Sequence, residues 1–73
     1  MSTAAGEIEI SLNGEAFRVA EGTTIAGLVR QLGLPEDRVA VEVDRSVVRR
    51  AQWREAALAP GARVEIVQIV GGG

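Results

Sequence analysis

Hydrophobic and polar residues alternate strictly over residues 7–12. The residues on one face of this segment are Ile8, Ile10 and Leu12, and those on the other are Glu7, Glu9 and Ser11. Such alternation is typical of a half-buried strand. Asn13-Gly14 follows, a pair that accepts positive φ in a two-residue turn, and Phe17 and Val19 then resume the alternation. The pattern predicts a β-hairpin over residues 7–19.

After Glu21-Gly22 the apolar spacing changes to that of a helix. Thr23 or Thr24 can cap its start by accepting a hydrogen bond from a free backbone N–H. The apolar stripe, at the spacing i, i+3, i+4, i+7, consists of Ile25, Leu28, Val29 and Leu32. Gly33 suits the left-handed position after a helix, and Pro35 prevents continuation. A helix of about nine residues is too short to be stable alone, so we expect it to pack on a sheet.

Two further strands and a short one complete the chain. Alternating valines predict a third strand over residues 39–43, and Val47-Val48 predicts a short fourth strand. We expect Trp53 and Leu58 to cover an edge of the core. The last strand is predicted from Arg63 to about Val70.

One arrangement buries every apolar stripe: a single main helix packed across a mixed four- or five-stranded sheet. With the first and last strands paired in parallel at its centre, this is the α+β fold called the β-grasp, or ubiquitin-like, fold. We predict a single domain over residues 1–70, with a loose N-terminus at residues 1–6 and a flexible glycine tail at residues 71–73.

The last strand carries apolar residues on both faces. Val64 and Ile66 share one face, whereas Val67 and Ile69 lie on the opposite face. If exposed, Val67 and Ile69 form an apolar patch suited to docking on partner proteins. The alternative is a twist or bulge that buries them. We expect Val70 to lie at the strand exit and to enter a partner together with the tail.

The composition excludes much chemistry. The chain has no Cys, His, Lys or Tyr, which removes disulfides, thiol catalysis and the commonest general base and metal ligand. Eight arginines against ten acidic residues, with two aromatic residues, do not favour nucleic-acid binding. No apolar run approaches the ~18 residues of a membrane span, and the start does not resemble a signal peptide. We expect a cytoplasmic protein with no bound metal and no stably bound cofactor.

The chain ends in Gly71-Gly72-Gly73 immediately after the last predicted strand. One interpretation is a disordered terminus without a function. The other is a narrow tail that threads a channel in a partner enzyme, because glycine permits close approach of the backbone. Since the side chains offer so little chemistry, the terminal carboxyl of Gly73 is then the plausible reactive group, with Gly71 and Gly72 serving to thread the tail.

Several of these segments together resemble the ThiS/MoaD family of bacterial sulfur carrier proteins, and within it the thiamin-biosynthesis carriers. The resemblance covers the chain from Glu7 to Gly73. It rests on the Asn13-Gly14 hairpin, the helix entry at residues 21–25, the strand over residues 39–43, Arg50 followed by Trp53, and the ending over residues 64–73. The chain departs from the family pattern at Arg49, where Pro is frequent, and at Gly61-Ala62, where Gly-Asp is frequent.

The resemblance implies that the chain is a cosubstrate of other enzymes rather than an enzyme. A ThiF/MoeB-like adenylating enzyme would use Mg-ATP to form an acyl-adenylate at Gly73. Sulfur from a cysteine desulfurase would then replace AMP and give a thiocarboxylate, from which a ThiG-like thiazole synthase takes the sulfur.

Other functions also fit the sequence. The same carrier chemistry would serve the small subunit of molybdopterin synthase or a carrier for tRNA thiolation. A ubiquitin-like binding module without carrier function is an alternative from a different class, and an enzyme in its own right is the least favoured.

Overall fold

The structure is a computed structural model that describes residues 6–69, so residues 1–5 and 70–73 lie outside it. The predicted loose N-terminus therefore falls almost entirely outside the described residues, and the glycine tail does so completely. The strands are β1 (Glu7–Leu12), β2 (Glu15–Ala20), β3 (Val39–Val43), β4 (Ser46–Val48) and β5 (Arg63–Gln68). The helix is α1 (Ile25–Gln31), and two short 3-10 helices occupy Glu36–Arg38 and Arg50–Gln52.

The five strands form one mixed sheet in the order β2-β1-β5-β3-β4. β1 and β2 are an antiparallel hairpin, and its turn places Asn13 at φ 51° and Gly14 at φ 86°. β5 lies between β1 and β3, parallel to the first and antiparallel to the second. The parallel pairing of the first and last strands confirms the predicted β-grasp fold.

Helix α1 begins with the predicted threonine cap. The Thr24 hydroxyl accepts a hydrogen bond from the backbone N–H of Gly27 at 3.1 Å. The helix ends before Gly33, which adopts the left-handed conformation with φ 74°. Its buried residues Ile25, Leu28 and Val29 belong to the same cluster as the inward-facing strand residues, which places the helix across one face of the sheet.

Trp53 and Leu58 are both buried, as predicted. The indole N–H of Trp53 donates to the carbonyl of Val48 at 2.8 Å. The one polar atom of this side chain is therefore satisfied inside the core. Within residues 6–69, no helix is long and apolar enough to cross a membrane.

The predicted end of the last strand was wrong by about two residues. β5 ends at Gln68, and its partner there is Val39, the first residue of β3. The ladder therefore stops where β3 begins, although the apolar alternation in the sequence continues to Ile69.

A pair of identical substitutions tests this division between core and surface. Ile10 is 1% exposed and Ile69 is 55% exposed. We expect Ile10→Val to lower the free energy of unfolding by about 1 kcal/mol, because the lost methylene leaves unfilled space in the core. Ile69→Val should change it by less than about 0.5 kcal/mol. Urea unfolding followed by the fluorescence of the buried Trp53 measures both variants, and equal losses would contradict the assigned burial.

Candidate functional site

The apolar patch predicted from the last strand is present on the outer face of the sheet. Val67 is 59% exposed and Ile69 is 55% exposed, whereas Val64 and Ile66 are buried on the helix side. The alternation therefore continues without a burying twist or bulge. Both residues lie shortly before the glycine ending in the sequence.

Val47 extends this surface across the sheet. It is 69% exposed. It pairs with Glu42 of β3, so that Ala40 is its diagonal neighbour, and Ala40 lies opposite Val67. We call Val47, Val67 and Ile69 the outer patch. Sequence reasoning did not assign Val47 to a site, although alternation within Val47-Val48 was a signal that one of the two faces outward.

Two carboxylates lie on the same outer face beside the patch. Glu42 of β3 is directly opposite Glu65 of β5. Like charges in this relation destabilise a sheet, and no arginine within residues 6–69 forms a salt bridge with either one. The outer face thus combines exposed apolar side chains with neighbouring negative charge.

The end of β5 is held on the β3 side by the strand ladder up to Gln68 and on the β1 side by one side chain. On the β3 side, the backbone N–H of Ile69 donates to the carbonyl of Arg38 at 2.7 Å. On the β1 side, Asn13 uses its side-chain amide on Ile66: Oδ1 accepts from the N–H at 2.8 Å, and Nδ2 donates to the carbonyl at 3.3 Å. These contacts fix the last residues of the strand before the tail. Sequence reasoning identified Asn13 only as a turn residue.

The remaining predicted site residues lie outside the described residues. These are Val70, expected at the strand exit, and Gly71, Gly72 and Gly73, expected to thread a partner and to carry the reactive carboxyl. The structure thus describes the surface that precedes these predicted site residues.

The mixed five-stranded sheet with one helix across it places the chain in the class of ubiquitin-like β-grasp proteins. Within that class, the ThiS family model matches residues 7–73. The chain belongs to the ThiS family.

Individual relatives agree with this family. The chain is 27% identical over 66 residues to the sulfur carrier protein ThiS of Escherichia coli, an alignment that covers 90% of this chain and 100% of the relative. It superposes on the thiamine biosynthesis protein ThiS of Geobacter metallireducens with a TM-score of 0.78 and 26% identity, covering 90% of this chain and all of that structure.

A longer relative is named as an enzyme. The chain is 38% identical over 66 residues to a thiazole synthase of Magnetococcus marinus. This alignment covers 90% of the chain and only 20% of the synthase. The chain therefore spans about a fifth of the length of that relative and resembles one portion of it.

Val-to-Thr substitutions at two positions of β5 test the two faces of the strand. Thr keeps the β-branched shape and adds a hydroxyl, which is costly only where no partner or water reaches it. Since Val64 is 0% exposed, we expect Val64→Thr to lower the free energy of unfolding by about 1–3 kcal/mol. Val67→Thr should leave it within about 0.5 kcal/mol. Equal unfolding midpoints in urea would contradict the assigned orientation of β5.

Proposed function

We propose that this chain is the sulfur carrier of thiamin thiazole biosynthesis and that it bears the sulfur as a thiocarboxylate on Gly73. The observation that carries this proposal is the family match over residues 7–73, which includes both the fold and the glycine ending. The match to a thiazole synthase over most of this chain supports the choice of acceptor. The chain acts as a cosubstrate in the cytoplasm, and partner enzymes perform the catalysis.

The proposed chemistry begins with activation of the Gly73 carboxylate, which is a poor electrophile. In an adenylating partner, this carboxylate attacks the α-phosphorus of Mg-ATP and displaces pyrophosphate to form an acyl-adenylate. Attack by hydrosulfide at the acyl carbon then expels AMP and gives the thiocarboxylate. With a protein persulfide from a cysteine desulfurase as donor, the attack gives an acyl disulfide, which a thiol reduces to the same product.

The composition of the chain agrees with a passive role in these steps. No Cys or His is present to act as a nucleophile or general base. A carrier needs neither group, because its partners bind the nucleotide and supply the sulfur. The glycine residues leave the acyl carbon free of side-chain hindrance.

The outer patch is the surface that we propose for docking on these partners. Val67 and Ile69 immediately precede the tail, so contact at the patch and insertion of the tail occur in one binding event. Glu42 and Glu65 lie beside it as directly opposite residues of β3 and β5, a like-charge pairing that is unfavourable in a sheet. A partner surface that is apolar at its centre and carries a cation at its rim would bury the patch and offset this unfavourable pairing.

Intact-mass measurement tests the carrier function directly. We expect incubation with Mg-ATP, an adenylating enzyme and a sulfide source to raise the mass by the exchange of one oxygen for one sulfur. Oxidation of Met1 gives a nearly equal gain, so the modification must be located. Tryptic cleavage after Arg63, the last arginine, releases residues 64–73, which contain no methionine, cysteine or tryptophan.

The matched control is the chain lacking Gly72 and Gly73, which should show no gain on its terminal peptide. A second control carries an inert extension after Gly73. A carrier loses sulfur loading when it is extended, whereas a binding module retains its interaction. Absence of the gain in the intact chain, with enzymes that load a control carrier, would reject the carrier function.

Substitution of the outer patch tests its role in docking. We expect Val67→Thr combined with Ile69→Thr to raise the KM of the adenylating enzyme for the carrier by about tenfold, since buried apolar contact is lost in the complex. The maximal rate should change little, because the tail is intact. The double substitution of Ser2 and Thr3 by Ala, far from the last strand in sequence, serves as the control. An unchanged KM in the patch variant would place the docking surface elsewhere.

A further inference from the structure

Asn13 has a structural relation to β5 that the turn alone does not require. β1 pairs with β5 only at Ser11 with Arg63 and at Leu12 with Val64. Beyond this point the chain turns away into the hairpin, and β5 continues for four more residues with β3 as its only strand neighbour. The part of β5 nearest the tail would therefore have one bare edge.

The amide of Asn13 takes the place of the missing strand at this edge. The backbone N–H of Asn13 donates to the Val64 carbonyl at 2.8 Å, as in a regular ladder. Its side chain then supplies an acceptor and a donor to the next residue on this edge, Ile66. One residue thus makes three hydrogen bonds to β5, and the last two occupy the positions that a peptide group of β1 would take.

The conformation of the turn makes this contact possible. Asn13 lies in the left-handed region with φ 51°, which Asn tolerates better than most residues. Gly would adopt this conformation as readily but has no side chain, whereas Asp would keep an acceptor and lose the donor. Of the three residues suited to this turn, Asn alone supplies both the acceptor and the donor that Ile66 requires.

We propose that Asn13 is a positioning residue for sulfur loading. Its amide holds Ile66 in the plane of the sheet, so that the following residues Val67 and Ile69 keep one fixed orientation. That fixed geometry presents the outer patch to the adenylating enzyme that loads the chain. This inference rests on the proposed carrier function, and it adds a residue from the opposite end of the chain to the loading reaction.

Loss of the Asn13 amide should weaken sulfur loading because fewer molecules then hold the end of β5 in the geometry that the adenylating enzyme binds. Without it, the segment after Val64 is held only by β3 and by the contact between Ile69 and Arg38. The end of the strand then adopts additional orientations. The apparent affinity for the adenylating enzyme falls in proportion to the fraction of molecules that keep the binding-competent orientation. The carboxyl itself is unchanged, so bound carrier should react at the normal rate.

Asp44 provides a matched control for the effect on stability. It lies in another turn with φ 52°, and its Oδ1 accepts from the backbone N–H of Arg63 at 2.9 Å. Asp44 and Asn13 therefore share the left-handed conformation and the use of a side chain on the β5 backbone. They differ in position, since Asp44 contacts the start of the strand and Asn13 contacts the half that leads to the tail.

The experiment compares Asn13→Gly, Asn13→Asp and Asp44→Gly with the unmodified chain in the sulfur-loading assay. We expect Asn13→Gly to lower kcat/KM for the carrier about tenfold, chiefly through KM. Asn13→Asp should give an intermediate loss. Asp44→Gly should keep kcat/KM within about twofold of the unmodified chain at a similar cost in Tm.

Amide hydrogen exchange measures the contact without any partner enzyme. In Asn13→Gly the Ile66 amide should exchange faster relative to the Val41 amide, and in Asp44→Gly it should not. Equal losses of kcat/KM in both glycine variants, or an unchanged value in Asn13→Gly, would overturn the positioning role. Failure of the unmodified chain to accept sulfur would reject the proposed function itself, and the positioning role with it.

Discussion

β5 pairs with β1 on one side and β3 on the other, and its pairing with β1 joins the first and last strands of the chain. Residues 7–12 and 63–68 are far apart in sequence, so their contact closes a long loop at an entropic cost. Burial of Ile10, Val41 and Val64, the inward-facing residues of the three central strands, offsets that cost. The helix covers these residues and completes the core. Without the central position of β5, the hairpin and the second half of the chain would not share a core.

The same strand also accounts for the site, because consecutive side chains in a strand point to opposite faces. Val64 and Ile66 belong to the core, and Val67 and Ile69 belong to the outer patch. The buried residues of β5 therefore hold in place the exposed residues that we propose for docking. A register shift of one residue would exchange the two sets and destroy both. The folding requirement and the proposed docking requirement consequently act on the same few residues.

Local pattern in the sequence was sufficient to predict the hairpin, the helix with its threonine cap, the central strands and the exposure of Val67 and Ile69. Each of these depends on periodicity or on turn chemistry within a few residues. Three features depended on contacts distant in sequence and were not predicted: the end of β5 at Gln68, the alignment of Val47 with Val67 through Ala40, and the bonding of Asn13 to Ile66. A turn signal explains why Asn stands at position 13 but does not reveal which backbone its amide meets.

The outer face violates rules that the rest of the domain obeys. A small domain gains little margin from its core, yet residues 6–69 expose three large aliphatic side chains and place Glu42 opposite Glu65. Neither feature stabilises the free protein. Residues that lower the stability of the free protein are expected at functional sites, because the same residues can stabilise a complex with a partner. Apolar contact and a partner cation would both do so here. The same features would make complexes with such a partner selective, and they lie on or directly after the three neighbouring strands β4, β3 and β5.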